Sequence, residues 1–284
     1  MREEDYLPLI QAALREDLGE RGDVTTLAVT PRGERAATLW SKDTGVLAGV
    51  EVFTAVFAAV DPATRVTFER ADGDALAPGQ RVARVVGEAR SLLVAERTAL
   101  NFISFLSGIA SATARLVALA RTSGHAEILD TRKTVPGLRA LSKQAVAAGG
   151  GRNHRMGLYD MVLIKDNHID AAGSVDAAVA AARGRWGATF TIEVECRTSA
   201  EVDEALAARA DIIMLDNMDD AALAREVRRI AGRAKVEASG NMGPERIPAV
   251  SAAGVDYISV GGLTHSVRAF DFSLKLAGEK EGLS

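Results

Sequence analysis

The chain is predicted to be an α/β protein, an incomplete parallel α/β barrel preceded by a smaller α+β domain, and three features predict it. After Gly124, six short apolar runs recur, with helical segments between them from the third onward. Before Arg90 the rhythm is instead strand-like and broken by Gly, Asp and Pro turns. Two of the later runs, Ile128-Leu129 and Met161-Val162-Leu163-Ile164, end abruptly in charge: Asp130-Thr131-Arg132-Lys133 after one, Lys165-Asp166-Asn167-His168 after the other. A buried strand that stops in charged residues at its C-terminal end is how a parallel α/β protein builds a site. The charges are mostly positive, so an anionic ligand is expected.

At 284 residues the chain suits one large or two modest domains with a sizeable core. A net charge of −4 argues against nucleic acid as the main partner, so the basic clusters are read locally. The single cysteine, Cys196, excludes an internal disulfide and reads as core packing. The opening MREEDYLPLI is acidic and mixed, unlike a signal or transit peptide. No apolar run approaches the ~18–20 residues needed to span a bilayer. A soluble, cytoplasmic protein is expected.

Residues 6–18 carry Leu7, Ile10, Leu14 and Leu18 at helical spacing, stopped by Gly19. The polar residues 20–26 read as a turn. Strand-like runs follow at 37–40, 45–48, 65–69 and 81–86, with a helical stretch at 50–60. Asp72-Gly73-Asp74 and Pro78-Gly79-Gln80 resemble the turns of a lipoyl- or biotinyl-type carrier. Such a carrier needs a lysine at a hairpin tip, and none lies between Ala71 and Val86, so the region reads as a small α+β domain. Residues 91–121 place Leu92, Ala95, Ala99, Phe102, Leu106 and Ile109 three and four apart. The other side, with Arg97, Asn101, Ser104, Ser107 and Ser111, is only mildly charged, which suits a covered helix.

The later strands are expected at 127–130, 161–165, 189–196, 211–216, 235–239 and 257–260. Thr198 and Glu201 have capping-box spacing. Leu223, Val227 and Ile230 form a stripe closed by Gly232, and Pro244 and Gly254 bracket the next helix. βα units in series argue for a parallel barrel or a doubly wound sheet. A full barrel takes about 200 residues or more, so a barrel short of its strand count fits best.

The strand ends then give an inventory: Arg132 and Lys133, Lys165, Glu195, Asp216, Ser239-Gly240-Asn241, and Gly261-Gly262. Two carboxylates face several cations in one mouth, with glycine turns on the last two strands. Glycine there allows backbone N–H groups to approach a phosphate closely. P-loop, GxGxxG and HExxH patterns are absent, and the four histidines lack zinc-ligand spacing. Glu195 and Asp216 suit Mg²⁺ only indirectly, beside a phosphorylated substrate. The competing structural account makes them salt-bridge partners of Lys165.

Residues now carry a resemblance. ERTALNFISFLSGIAS, DTRKTVPGLR, GGGRNHRMGLYDMVLIKDNH, IEVEC, IMLDNM, EASGN and ISVGGLTHS resemble the quinolinate phosphoribosyltransferase family, as do EDLGERGDVTT near the start and FDFSLKL near the end. The resemblance implies an N-terminal α/β sandwich domain (residues 1–110, rejoined by the tail 268–284) and an open α/β barrel (111–267). It implies quinolinate and phosphoribosyl pyrophosphate (PRPP) as substrates, Mg²⁺ arriving with PRPP, no organic cofactor, and a homodimer with a shared site. By that resemblance Arg97, Arg132, His154, Arg155 and Lys165 surround quinolinate, with Arg97 supplied by the partner. Thr131 and Lys133 lie toward the pyrophosphate. Glu195 and Asp216 hold the ribose, near Mg²⁺, and with Lys165 are the catalytic set. Ser239, Gly240, Asn241, Gly261 and Gly262 hold the 5-phosphate. Two rivals share the scaffold: a paralogous family of molybdate-transport loci, against which Lys165-Asp166-Asn167-His168 argues, and a non-catalytic phosphoribosyl-ligand sensor.

Overall fold

The computed structural model describes residues 3–276. Its elements begin with α1 (Leu7–Leu18), α2 (Val24–Val29), β1 (Glu34–Ser41), β2 (Gly45–Val46) and α3 (Val50–Val60). Then come β3 (Arg65–Phe68), β4 (Ala75–Leu76), β5 (Arg81–Glu88), α4 (Ala89–Arg121), β6 (Glu127–Leu129) and α5 (Arg139–Ala148). The series continues with β7 (Val162–Ile164), α6 (Asp166–Ala172), α7 (Val175–Trp186), β8 (Ile192–Cys196) and α8 (Ser199–Ala207). It closes with β9 (Ile212–Asp216), α9 (Asp220–Ile230), β10 (Lys235–Ser239), α10 (Ile247–Ala252), β11 (Tyr257–Ser259), α11 (Gly262–His265) and β12 (Phe272–Leu276). The chain forms two compact units: one runs up to Ala114, with Val135–Gly150 and the chain from Ser266 on, and the other holds Arg115–Thr134 and Gly151–His265.

The first unit is built on an antiparallel sheet of order β12-β1-β5-β3. Alternation along β1 and β5 buries Ala37, Leu39, Val82, Ala83 and Val85. Against them α3 brings Val52, Phe53, Val56 and Phe57, with Phe53 edge-on to Phe68 at 5.5 Å, and α4 brings Leu92, Ala95 and Ala99. The serine side of α4 is spoken for: Ser107 Oγ accepts the Ala48 N–H, and Ser111 Oγ that of Val46. By length and composition α4 is apolar enough to cross a membrane, with a stretch of mean hydropathy 1.6, contrary to the expectation that no run is long enough. Half of that stretch is buried, and its apolar side chains are the core of this unit.

Two further expectations change. Residues 24–29 form α2 rather than continuing a turn, because the Asp23 carboxylate accepts the Thr26 N–H at 2.8 Å and caps the first turn. And α5, expected with the later strands, belongs to the first unit, since Leu141, Ala145 and Val146 are part of that core. The end of the expected tail, 277–284, lies outside the described residues.

The second unit is a six-stranded sheet, parallel throughout, in the order β6-β11-β10-β9-β8-β7. Three of the helices between its strands start on Ser, Thr or Asp side-chain caps. Ser174 accepts the Ala177 N–H for α7, Thr198 and Glu201 form the expected capping box for α8, and Asp219 accepts the Ala222 N–H for α9. All C-terminal strand ends therefore emerge on one edge, where the expected site residues lie.

Candidate active site

Alternation along β8 puts Glu193 and Glu195 on one face and Ile192, Val194 and Cys196 on the other. Strand register carries the polar face across the sheet. Glu193 lies opposite Leu163 on β7, and Glu195 opposite Met214 on β9. Met214 lies opposite Glu237, Asp216 opposite Ser239, and Glu237 opposite Tyr257, two residues before Ser259. On the reverse side Val194, Ile213, Leu215, Val236, Ala238 and Ile258 are buried. So are Glu193, Met214, Glu237 and Ser259 on the polar face. A strand face carrying carboxylates is normally solvated; this one is covered.

The cations converge on its edge. Lys165 Nζ hydrogen-bonds Glu195 Oε2, so the lysine after β7 and the last acid of β8 meet directly. The Lys165 N–H donates to His168 Nδ1 at 2.9 Å, which makes His168 a cap for α6 rather than a ligand group. His154 is anchored by its N–H to Asp130 Oδ1 at 2.9 Å, tying the loop before β7 to the end of β6. Its Nδ1 accepts the Arg155 N–H at 2.7 Å, leaving Nε2 to face Glu193 Oε2 at 3.2 Å and Glu237 Oε2 at 3.8 Å. Arg155 is held by the Met161 carbonyl at 3.3 Å. Burial, and then the charge of nearby Arg132, hold its guanidinium below the usual value. Two like charges kept close together in a half-buried place are stabilised by an anion between them.

Beside this cluster is a cavity of about 450 Å³ lined by Thr131, Lys133, Ser239, Gly240, Asn241 and Gly261, among others. Gly240 has φ +94°, and a Cβ there would lie 2.2 Å from Asn217 Oδ1, so only glycine fits. Asn241 follows with φ 50°. Thr264 Oγ1 donates to the Lys133 carbonyl at 2.7 Å, which fixes the loop after β6 against α11. Asp216 sits at the end of β9 and accepts from Asn217 Nδ2 at 2.6 Å. Successive backbone N–H groups in such turns form an anion cradle.

Of the expected residues, Thr131, Arg132, Lys133, His154, Arg155, Lys165, Glu195, Asp216, Ser239, Gly240, Asn241, Gly261 and Gly262 all fall in the second unit. Arg97 is an exposed residue of α4 in the first. Of the two nearby acids, Glu88 accepts the Arg90 and Ser91 N–H groups at the start of α4, while the charge of Arg97 acts on Glu96. Arg152, next to the expected cations, turns away and pairs with Glu127 at 2.7 Å. Glu193, Glu237, Ser259, Asp130 and His265 were missed. The available signal was the i, i+2 acid spacing in IEVEC and the acid inside VEAS, which put a second acidic layer beneath the strand ends.

Residues 23–107 match the quinolinate phosphoribosyl transferase N-terminal domain family and residues 109–275 its C-terminal domain family. The chain is 44% identical to the chloroplastic nicotinate-nucleotide pyrophosphorylase [carboxylating] of Arabidopsis thaliana, over 97% of this chain and 84% of that protein. It is 41% identical to the probable enzyme of the same name from Bacillus subtilis, over 94% and 92%. The crystal structure of NadC from Streptococcus pyogenes superposes with a TM-score of 0.93 at 42% identity, covering 98% of both chains. With both domain families matched across nearly the whole chain, this protein belongs to the quinolinate phosphoribosyltransferase family.

Proposed function

We propose that this chain transfers the phosphoribosyl group of PRPP to quinolinate and releases nicotinate mononucleotide, pyrophosphate and CO₂. The observation that carries the reading is the meeting, on one covered sheet edge, of Arg132, Arg155 and Lys165 with Glu195, Asp216 and a glycine-turn cavity. A dicarboxylate needs the first set, a developing sugar cation the second, and a phosphate the third.

The chemistry follows from the substrates. The ring nitrogen attacks the anomeric carbon as its bond to the pyrophosphate oxygen breaks, and the electron pair leaves with pyrophosphate. Glu195 and Asp216 stabilise the ribosyl cation in between. The ring nitrogen, now cationic, stabilises the electron pair left on C2 when the adjacent carboxylate departs as CO₂, and that pair then takes a proton. Lys165, an ammonium on this face, is placed to bind the departing carboxylate and to act as that acid. No protein nucleophile enters. Arg132, His154 and Arg155 orient the ring, Thr131 and Lys133 serve the pyrophosphate, and Ser239, Gly240, Asn241, Gly261 and Gly262 take the 5-phosphate. Two carboxylates at neighbouring strand ends suit Mg²⁺ held mainly by substrate phosphates and water, and the ion's charge would offset that of the leaving pyrophosphate.

Two architectural readings go with it. The six-stranded sheet curls into an open barrel, supported by burial on both faces and by carboxyls of β8 and β10 meeting over β9. The working unit is a homodimer in which Arg97 of one copy completes the site of the other, supported by the exposure of Arg97 in the first unit. Cytoplasm is the proposed compartment, in keeping with a buried free thiol at Cys196.

The deciding assay follows absorbance with PRPP and quinolinate, nicotinate or nicotinamide. Turnover should be strongly selective for quinolinate, since nicotinate leaves part of the buried positive charge unpaired at a cost of about 1–3 kcal/mol or more. Comparable kcat/KM for nicotinate would sink the reading, and no turnover of any of the three would favour a sensor. Mixing inactive Arg97→Ala and Lys165→Ala chains tests the shared site. Recovery up to half of wild-type activity is expected, and none despite confirmed subunit exchange would place Arg97 in its own chain's site.

A further inference from the structure

Beneath the strand ends lies a cluster the proposed chemistry leaves unused: His154, Glu193 and Glu237, whose ligand-type atoms lie within 4.8 Å of one another. Glu193 and Glu237 are 0% and 1% exposed. Neither oxygen of Glu193 has a hydrogen-bond donor in place, although His154 Nε2 lies 3.2 Å from Oε2. Ser259 Oγ, also buried, donates to Glu237 Oε1. The charged groups facing Glu193 from neighbouring elements are Arg155 before β7, Lys165 after it and Glu195 on its own strand. Glu237 faces His154 and Glu193. Two ionised carboxylates in hydrogen-bond contact with almost no water are strongly disfavoured, and one proton between them relieves the repulsion.

The hydrogen bonds say where that proton sits. Glu237 already accepts from Ser259, and Glu193 has His154 Nε2 at 3.2 Å but lacks a second donor. A proton on Glu237 directed at Glu193 supplies it. Glu193 is then the anion, accepting from Glu237 and from His154 Nε2–H. Since His154 Nδ1 accepts the Arg155 N–H, the imidazole is neutral and held at both nitrogens.

We propose that Glu193 and Glu237 are positioning residues that share one proton and act as a single negative charge locking His154 in its Nε2–H form beside Arg155. The role in catalysis rests on the reading of His154 as a quinolinate contact; the state of the cluster does not. Burial makes both carboxyls hold a proton to higher pH than usual, the direction this requires.

A shared proton makes an unusual prediction for isosteric amides. Glu237→Gln keeps a donor toward Glu193, and Glu193→Gln lets Glu237 ionise instead, so each single variant still carries one negative charge. Each should lose no more than about threefold in kcat/KM, whereas the double variant, which has no charge, should raise the KM for quinolinate by about tenfold or more, with little change for PRPP. Additive losses would mean that both carboxylates are needed ionised, and three near-normal variants would mean a packing role only; either result overturns the proposal. ¹⁵N NMR of the histidines in substrate-free protein, with His154→Asn for assignment, gives a second test that needs no turnover. His154 should show a protonated Nε2 and a bare Nδ1 from about pH 6 to about pH 8. A protonated Nδ1, or titration to imidazolium in that interval, overturns the assignment even if the double variant fails to fold. Failure of the functional reading would look different: no quinolinate turnover by the native chain with His154 still in the expected form.

Discussion

The two ends of the parallel sheet carry charge in similar amounts but use it differently. At the N-terminal end, acids close on the nearest backbone. Asp211 accepts the Ile192 N–H and an Arg183 N–H, each at 2.7 Å. Asp256 accepts the Val236 N–H at 2.9 Å and Lys235 Nζ at 2.6 Å, and Glu127 takes Arg152. The starts of β8 and β10 are thus each tied off by a local acid and its cation. At the C-terminal end Arg155 and Arg132 stand near one another, Lys165 and Glu195 meet across two strands, and Gly240 turns in a conformation that leaves a cavity open. Charge at a strand end is therefore a poor guide by itself. Convergence of like charges, with acids not consumed by capping, is what separates a site from a brace.

The largest test of this contrast concerns Glu195 and Asp216. If they stabilise a sugar cation, Glu195→Gln and Asp216→Asn should each lower kcat by about 10²–10³-fold while the chain folds normally. Quinolinate affinity should change much less. Steady-state kinetics beside thermal unfolding decides it. Near-normal turnover with a clear drop in Tm would reduce both acids to structural partners and erase the difference between the two ends.

The C-terminal edge was legible in the sequence for a simple reason. Apolar runs stop in charge there, and glycine turns follow β10 and β11. The layer beneath was not legible, because only the last residue of each strand was taken as facing the mouth. Glu193 and Glu237 lie two residues earlier on the same face. Alternating acids in a strand ordinarily mark a wet surface, and only tertiary structure buries them. Arg152, two residues before His154, stays outside the site, its guanidinium joined to Glu127. Residues 20–26 read as a turn because they are polar, yet the Asp23 cap starts α2 within them.

The buried acids give the sheet a pH dependence. Burial, and then the charge of Glu193, push Glu237 from an ordinary 4.5 up to about 8. Burial also raises Glu193, and because the two carboxyls are coupled the folded pair titrates as a unit that keeps one proton to high pH. Between these limits the folded chain holds protons that the unfolded chain has released. Stability is then greatest below about pH 4.5, as far as this pair is concerned, and falls as pH rises toward about 8, levelling off above. Relative to Glu237→Gln, the wild type should lose on the order of a few kcal/mol between about pH 5 and about pH 8.5 in urea unfolding. Parallel curves for the two proteins would mean that Glu237 is already ionised when folded.

At the other end, Asp211→Ala removes the acceptor from the Ile192 N–H at the start of β8, a buried residue. Loss of that partner should cost about 1–2 kcal/mol of stability. Because the strand's far end still delivers Glu195, kcat per folded molecule should stay within about twofold of wild type. A fall in kcat as large as that of Glu195→Gln would show that the two ends are coupled rather than divided in role.

The smallest effect is expected at Lys235, whose pairing with Asp256 imitates that of Lys165 with Glu195. Each joins a lysine to an acid on a neighbouring part of the sheet, and sequence alone does not rank them. Their surroundings do. Lys165 is 44% and Glu195 12% exposed, whereas Lys235 is 61% and Asp256 20% exposed. Solvent screens the outer pair, and holding a long lysine in one geometry costs entropy that offsets the attraction. Asp256 also keeps its bond to the Val236 N–H when the lysine is gone, so no buried group is stranded. Lys235→Ala should therefore move Tm by less than about 2 °C and leave kcat and both KM values unchanged. Lys165→Ala, which removes the same kind of ammonium from the opposite end, should abolish measurable turnover. If both variants lowered kcat alike, position along the strand would carry no functional meaning in this sheet.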